Sequence, residues 1–429
     1  MSSGYSYLVL VSCICASWAN PTRKILPALQ WKCKKPIVGI TVSPLVTKGS
    51  LRIMDIYWDV GELWMEGDYV GLYKQQPRAD SPAVFLANVT GGRGWVRTGV
   101  QEGRRFQEVP NFNKTCFGFW SAYWRRGRGL PVAASCLGSN PRWMRENRKY
   151  IGNLKLTETF FPGTHDSGAF QVAHRPFEED RYMKYIYAQD ESIMEQLIHG
   201  ARYLDFRVSK YKSGYWLNHG IARVRPLENS LISLREFMNK TEEIVVIDFH
   251  RFSVGFTKQQ VHDEFIDYLR KELGQYTVPP IHGWSASLNQ IWNSKSRLIL
   301  AYNDQLSVRK HSDFLWVPVS QKWGDVRTLQ DLTVYFSHIF SNNRRNGIMW
   351  SAMTELTADA WSIISDKMKG LRNMADSVNH EVSQWFINDW GRKCNAVAVD
   401  FIRSTSIVDS AIAWNKRKAV NSLCDDAHS

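Results

Sequence analysis

The chain changes its hydrophobic rhythm near residue 140. From about 36 to 136 the apolar positions fall in short alternating or β-branched runs, 37-IVGITVSPLV-46, 51-LRIMDIYWDV-60, 68-DYVGLYK-74 and 83-AVFLANV-89, separated by turn residues. No sustained helical stripe interrupts them, so the pattern predicts an antiparallel β-sandwich.

After the polar stretch 138-GSNPRWMRENRKY-150, apolar strands alternate with amphipathic helices. The predicted strands are 159-TFFPG-163, 202-RYLDFRV-208, 244-IVVIDF-249, 297-RLILAY-302, 314-FLWVPV-319 and 396-AVAVDFI-402. Between them, 190-DESIMEQLIHG-200 reads as a helix stopped by Gly200, and 226-PLENSLISLREFMNK-240 as a second. A third, 257-TKQQVHDEFIDYLRKEL-273, places Val261, Phe265, Tyr268 and Leu269 on one face. Strands alternating with helices imply a parallel sheet with crossovers. No Gly-rich phosphate loop follows the first strand, which favours a closed (β/α) barrel over an open sheet. Six strands are readable, so an eight-stranded closure is inferred. The expected fold class is α/β: a TIM-like (β/α) barrel over 150–429, preceded by a smaller all-β sandwich over 20–140. In the latter, 66-EGDYVGLY-73 resembles a short pattern of immunoglobulin-like accessory domains, and a strand edge with packed aromatics reads equally well.

A chain of 429 residues with 18 tryptophans is long enough for two domains and can fill both cores. Residues 5-YSYLVLVSCICASWA-19 read as a secretory signal peptide over 1–19 with a cut near Asn20, although no basic side chain precedes the apolar run. No later segment is long and apolar enough for a transmembrane helix. A secreted or extracellular glycoprotein is therefore expected, with sequons at Asn88, Asn113 and Asn239. After removal of the signal, Cys33, Cys116, Cys136, Cys394 and Cys424 remain, and none has zinc-like spacing. Cys116–Cys136 and Cys394–Cys424 are candidate disulfides; a pairing through Cys33 stays open.

The formal charge of +13 favours an anionic surface, with basic clusters at 124-WRRGRG-129, 342-NNRRN-346 and 415-NKRK-418. For a secreted chain this points to anionic lipid or acidic glycans rather than nucleic acid. Solubility alone is the competing explanation of the charge.

The chemistry gathers at strand ends. His165 and Asp166 follow the first strand of the barrel, Asp205 and Arg207 end the second, and His219 lies in 215-YWLNHG-220. Asp248 and His250 end a further strand, and Asp400 falls on the last. C-terminal strand ends of such a barrel converge on one mouth. Asp205 and Arg207 are two apart, so both point to one face; they read either as a structural ion pair or as a charged cluster around a phosphate. Two histidines, each near a carboxylate, suit proton transfer in both directions. A guanidinium suits the charge that grows on a phosphorane. With Arg207 where a calcium or magnesium site would want an oxygen ligand, no metal is expected, and no cofactor.

The segments 162-PGTHDSGAF-170, 195-EQLIHGARYLDFRV-208, 218-NHG-220 and 242-EEIVVIDFHRF-252 resemble the phosphatidylinositol-specific phospholipase C X-domain family, in its eukaryotic X-domain-only form. The resemblance covers about 150 to 405. It implies an irregular TIM barrel that cleaves the glycerol–phosphate bond of phosphoinositides or related lipids. His165 would be the general base, oriented by Asp400, and His219 the general acid, with Asp166 as partner. Arg207 would hold the phosphate and Asp205 the charged cluster. The head-group pocket departs from the bacterial pattern: a lysine and an arginine are replaced by 248-DFHRF-252 and 301-AYND-304, and Gln321-Lys322-Trp323 stands for an Asp-Lys-aromatic segment. Asp248, His250, Asn303, Lys322 and Trp323 are therefore the candidate substrate-binding residues, and the expected partner is a phospholipid or glycolipid at an anionic membrane surface. The alternative reading is a non-catalytic secreted binder of anionic lipid or inositol phosphate.

Overall fold

The computed structural model describes residues 36–47, 50–103, 110–171, 180, 182–342 and 347–419. The apolar run 5–19, Cys33 and Cys424 lie outside them. The first half is built of strands. β1 (Ile37–Val42) leads into a two-residue ladder, β2 (Val46–Thr47) with β3 (Ser50–Leu51), and then into β4 (Ile53–Asp59). There follow β5 (Tyr69–Tyr73), β6 (Ala83–Asn88), β7 (Arg93–Gln101), β8 (Cys116–Trp124) and β9 (Ala133–Gly138). Antiparallel pairing gives one sheet in the order β1-β4-β7 and another in the order β6-β5-β8-β9. Met54, Ile56 and Trp58 of the first sheet share an apolar cluster with Val70, Leu72 and Tyr123 of the second. The expected disulfide Cys116–Cys136 joins β8 to β9. Among the described residues Cys394, by contrast, is a free buried thiol, and its Sγ donates to the Gly391 carbonyl.

Alternation along β4 leaves Asp55, Tyr57 and Asp59 on the face away from that cluster, yet all three are buried. The second half of the chain covers that face. Arg97 joins Asp55 to Asp376, and Tyr57 donates to Asp409 Oδ2 at 2.8 Å. A Cβ on Gly39 would stand 2.2 Å from the Tyr57 hydroxyl, so the ring can cross β1 only over a glycine.

The second half is mixed α/β. Its strands are β10 (Phe161–Thr164), β11 (Tyr203–Tyr211), β12 (Gly214–His219), β13 (Ala222–Pro226), β14 (Val245–Phe252), β15 (Leu298–Tyr302), β16 (Ser320–Trp323), β17 (Trp350–Met353) and β18 (Ala396–Val399). Parallel pairing runs β15-β14-β11-β10-β18-β17-β16, with β12 and β13 added to β11 as an antiparallel meander. The predicted strand 314–319 is not one: only Trp316 bridges to Ala301. Pro318 has no N–H to offer a ladder, and the Trp316 indole is tied to the Val278 carbonyl. The strands that follow, β16 and β17, were not expected from the sequence; each is four residues long and β16 is polar.

Period-two alternation sorts the sheet into two faces. Val245, Ile247, Phe249, Leu298, Leu300, Val397 and Val399 pack in the cluster that contains the helices. Phe161, Tyr203, Val246, Ile299, Ala301, Ala396 and Ala398 pack in a second cluster with Trp143, Trp284 and Trp316. The predicted helices form as Ile193–His199, Leu227–Lys240 and Gln259–Leu273. The first has a Ser192/Glu195 capping box, and Gly200 closes it at φ 121°. In the third the buried stripe is His262, Phe265, Ile266, Leu269 and Leu273, so Val261 and Tyr268 flank the stripe rather than define it.

Candidate active site

The face that carries the tryptophan cluster becomes charged at the C-terminal strand ends. Continuing the alternation, Phe161 and Gly163 lead to His165, Tyr203 to Asp205 and Arg207, Val246 to Asp248 and His250, Met353 to Glu355, and Ala396 and Ala398 to Asp400. A Cβ on Gly163 would lie 2.6 Å from the Tyr203 ring, so the glycine leaves room for that ring beneath the charged layer. Tyr203 then donates to Asp248 Oδ2 at 2.9 Å.

His165 Nδ1 lies 2.7 Å from Asp400 Oδ1. Adjacent parallel strands set this pair, since Thr164 is in register with Val399 and the His165 amide donates to the Val399 carbonyl. Gln189 clamps the same turn: its Nε2 donates to the carbonyls of His165 and Val399, and its Oε1 accepts from Ile402 N. Asp166 and Phe401, next to the paired groups, hold left-handed backbone at φ 37° and 51°. With the Nδ1 proton given to Asp400, Nε2 accepts from Arg207 Nη2 at 2.6 Å.

Arg207 also reaches Asp205 Oδ2 at 3.3 Å and Asp166 Oδ2 at 3.6 Å. Asp205 is completed by the Asp166 amide at 3.0 Å and by Gln321 Nε2 at 3.1 Å. His219, at the end of the antiparallel β12, donates Nδ1–H to the Ile186 carbonyl at 2.8 Å. That leaves Nε2 facing the site, 4.0 Å from Asp166 Oδ2. The imidazoles of His165 and His219 stand perpendicular with centroids 6.3 Å apart. All six expected catalytic residues thus meet in one cluster.

Its electrostatics follow from burial and crowding. Burial disfavours a charged His165, but Glu355 and Asp400 outweigh both burial and Arg207 and raise its pKa to about 9. The 2.6 Å contact with Arg207 belongs to the neutral ring; once protonated, Nε2 has Glu355 Oε1 at 3.5 Å as its carboxylate. Burial, with the charges of Arg207 and His165, lowers His219 to about 3. Burial raises Asp166 to about 7 against the pull of Arg207 and His165. For Asp205 the burial cost is overcome by Arg207 and His165, and its pKa is lowered.

The expected substrate-binding residues divide. Asp248 joins the cluster through Gln321 Nε2, 3.1 Å from its Oδ2, and His250 Nδ1 lies 3.2 Å from the same oxygen. Burial raises Asp248, whereas for His250 the neighbouring Asp248 outweighs burial and raises its pKa too. Asn303 is exposed and donates to the His250 carbonyl, supporting the strand end. Trp323 is 45% exposed and bonds Thr357 Oγ1. Lys322 follows Gln321 directly, so on a strand it turns to the other face. The sequence reading missed Glu355, the bridging role of Gln321, and the clamp Gln189. Glu355 was reachable only by extending the alternation Ser351, Met353, Glu355, and β17 had not been recognised. Among the described residues, Asp55, Asp376 and His380 also bring possible metal-ligand atoms within 4.8 Å of one another, but Arg97 already pairs with both aspartates.

The chain resembles the phospholipase C X-domain proteins over roughly two thirds of its length. It is 24% identical over 309 residues to PI-PLC X domain-containing protein 1 of Homo sapiens, covering 66% of this chain and 94% of that protein. It is 21% identical over 302 residues to PI-PLC X domain-containing protein 3 of Mus musculus, covering 64% and 92%. To PI-PLC X domain-containing protein 2 of Mus musculus it is 23% identical over 292 residues, covering 62% and 83%. Among solved structures, phosphatidylinositol-specific phospholipase C from Staphylococcus aureus aligns at TM-score 0.48 and 16% identity, covering 63% of this chain and 97% of that one. The enzyme from Listeria monocytogenes aligns at TM-score 0.48 and 15% identity, covering 64% and 98%. No family model matches.

Proposed function

We propose that this protein is a phosphoric diester hydrolase of the phospholipase C type, acting on phosphoinositides or related lipids without a metal. The α/β half is then an incompletely closed (β/α) barrel, and the β half a sandwich docked on it. The observation that carries it is the pair of perpendicular imidazoles, 6.3 Å apart, with Arg207 touching the first and Asp166 between Arg207 and the second. In this reading a head-group hydroxyl next to the phosphate attacks phosphorus. His165 Nε2 takes its proton, a new O–P bond forms, and the bond to the glycerol oxygen breaks. His219 Nε2–H protonates that oxygen, releasing diacylglycerol and a cyclic phosphate. Arg207 faces the charge that grows on the phosphorane oxygens. A bound phosphate offsets the Arg207 charge that depresses His219, which helps the acid hold its proton. The excess of basic side chains supports docking at an anionic membrane, and the leader-like start supports secretion.

Incubating the purified protein with a lipid panel, with and without chelator, tests this. Diacylglycerol is expected from phosphatidylinositol or a glycosylated relative, at the same rate in both arms. A strict calcium requirement, or no diacylglycerol from any lipid, would overturn it. One feature favours the binder instead: against the cost of burial, Glu355 and Asp400 favour a charged His165, while burial and Arg207 favour a neutral His219, the reverse of what turnover needs. A binder retains inositol phosphate without ever releasing diacylglycerol.

A further inference from the structure

Glu355 has no task in the mechanism above, yet it is 6% exposed and its Oε1 lies 3.5 Å from His165 Nε2. Its Oε2 is buried with no hydrogen-bond donor among the described residues. A buried carboxylate oxygen left unpaired costs stability and asks for a reason. The turn that presents it is held firmly, because Thr354 bonds the Ala398 carbonyl through both N and Oγ1. Two groups therefore contend for one ring nitrogen. Arg207 donates to Nε2 when the ring is neutral, and Glu355 can accept from Nε2–H only when the ring is charged.

We propose that Glu355 is a positioning residue for the base: a second carboxylate, at the Nε2 edge of His165, that holds the imidazolium formed when the ring takes the nucleophile's proton. The proposal rests on the phosphodiesterase reading and deepens it. While the ring is neutral, Arg207 covers the lone pair of Nε2. A substrate phosphate draws the guanidinium away and frees that lone pair. The hydroxyl O–H then breaks, Nε2–H forms, and the new N–H faces Glu355 while Nδ1–H stays with Asp400. The ring is thus bracketed by carboxylates at both nitrogens, which favours the charged state reached in the transition state over the neutral one before it. The other ionisable groups around His165 are Arg207 and Asp205 from β11, His219 from β12, Asp166 after β10, and His250 with Asp248 from β14. None of these provides a carboxylate within 4 Å of Nε2.

Glu355→Gln removes the charge and keeps the shape. The His165 ring resonance, assigned by its loss in His165→Asn, is followed by NMR through a pH titration of the full chain. The pKa of His165 is expected to fall by about one to three units, the usual effect of an opposite charge at this distance. On active substrate, the acid limb of kcat/KM moves the same way and its plateau drops at least about tenfold. A group that serves only folding lowers Tm and leaves the His165 titration where it was, and that result overturns the proposal. Glu355→Asp guards against misfolding: it keeps the charge, withdraws it, and is expected to give an intermediate shift, whereas a wild-type titration in a folded Glu355→Asp also counts against the role. The titration needs no turnover. A shifted His165 in a protein that cleaves no lipid refutes the phosphodiesterase reading and leaves the Glu355–His165 coupling standing.

Discussion

Arg52→Met separates a β half that merely precedes the site from one that supports it. Arg52 is 2% exposed, and its Nη1 lies 2.9 Å from Glu191 Oε1 and 3.2 Å from Asp190 Oδ2. Its Nε is 3.9 Å from Glu102, which also pairs with Arg403, while Arg372 reaches Asp190 Oδ1 at 2.6 Å. The two acids follow Gln189, the residue that clamps His165. Methionine fills the same volume but leaves buried carboxylates short of a cation. Removing one partner of a buried ion pair costs about 3–5 kcal/mol, a large share of a typical total stability of about 5–15 kcal/mol. Urea unfolding followed by tryptophan fluorescence should show a lower midpoint with an unchanged slope. The loss must also depend on pH. Burial alone raises the Glu102 pKa, but Arg403 and Arg52 overcome it and hold Glu102 below its usual range. Its contribution is therefore full above the unfolded carboxylate pKa and is lost as pH falls through the folded value. The gap between wild type and Arg52→Met should be widest at neutral pH and narrow below about pH 4.5. A loss under about 1 kcal/mol at pH 7, the range of a surface pair, or a loss that does not change with pH, would refute the account.

Three further outcomes are expected. His165→Ala and His219→Ala should each lower turnover by about 10²–10⁴, and a substrate with a much better leaving group should rescue His219→Ala alone; rescue of His165→Ala instead reverses the roles. Replacing Cys116 and Cys136 by serine opens a loop with a sequence separation of 20 and should cost about 3 kcal/mol in urea unfolding, with the wild type matching the variant once reduced. Protein recovered from culture medium should begin near Asn20 on N-terminal sequencing, and an intact Met1 contradicts secretion through a cleaved leader.

Local rules made much of this protein legible. A strand period of two put Asp205 and Arg207 on one face, and Gly200 marked the end of a helix, because both depend on residues a few positions apart. The order of a β half before an α/β half follows from the same periodicities, and the histidine–aspartate turn at 165–166 was visible as polar residues closing an apolar strand. Other features depend on partners remote in the chain. The polar face of β4 is buried because Asp409 comes to Tyr57 across 352 residues and Asp376 to Arg97, the partner of Asp55, across 279. His219 reaches the cluster on an antiparallel meander rather than a parallel strand. β16 and β17 are too short and, in β16, too polar to carry a periodicity; their neighbours in the parallel sheet make them strands. Glu355 stayed hidden with β17, and only the packing of three strand ends around one imidazole sets its distance from His165.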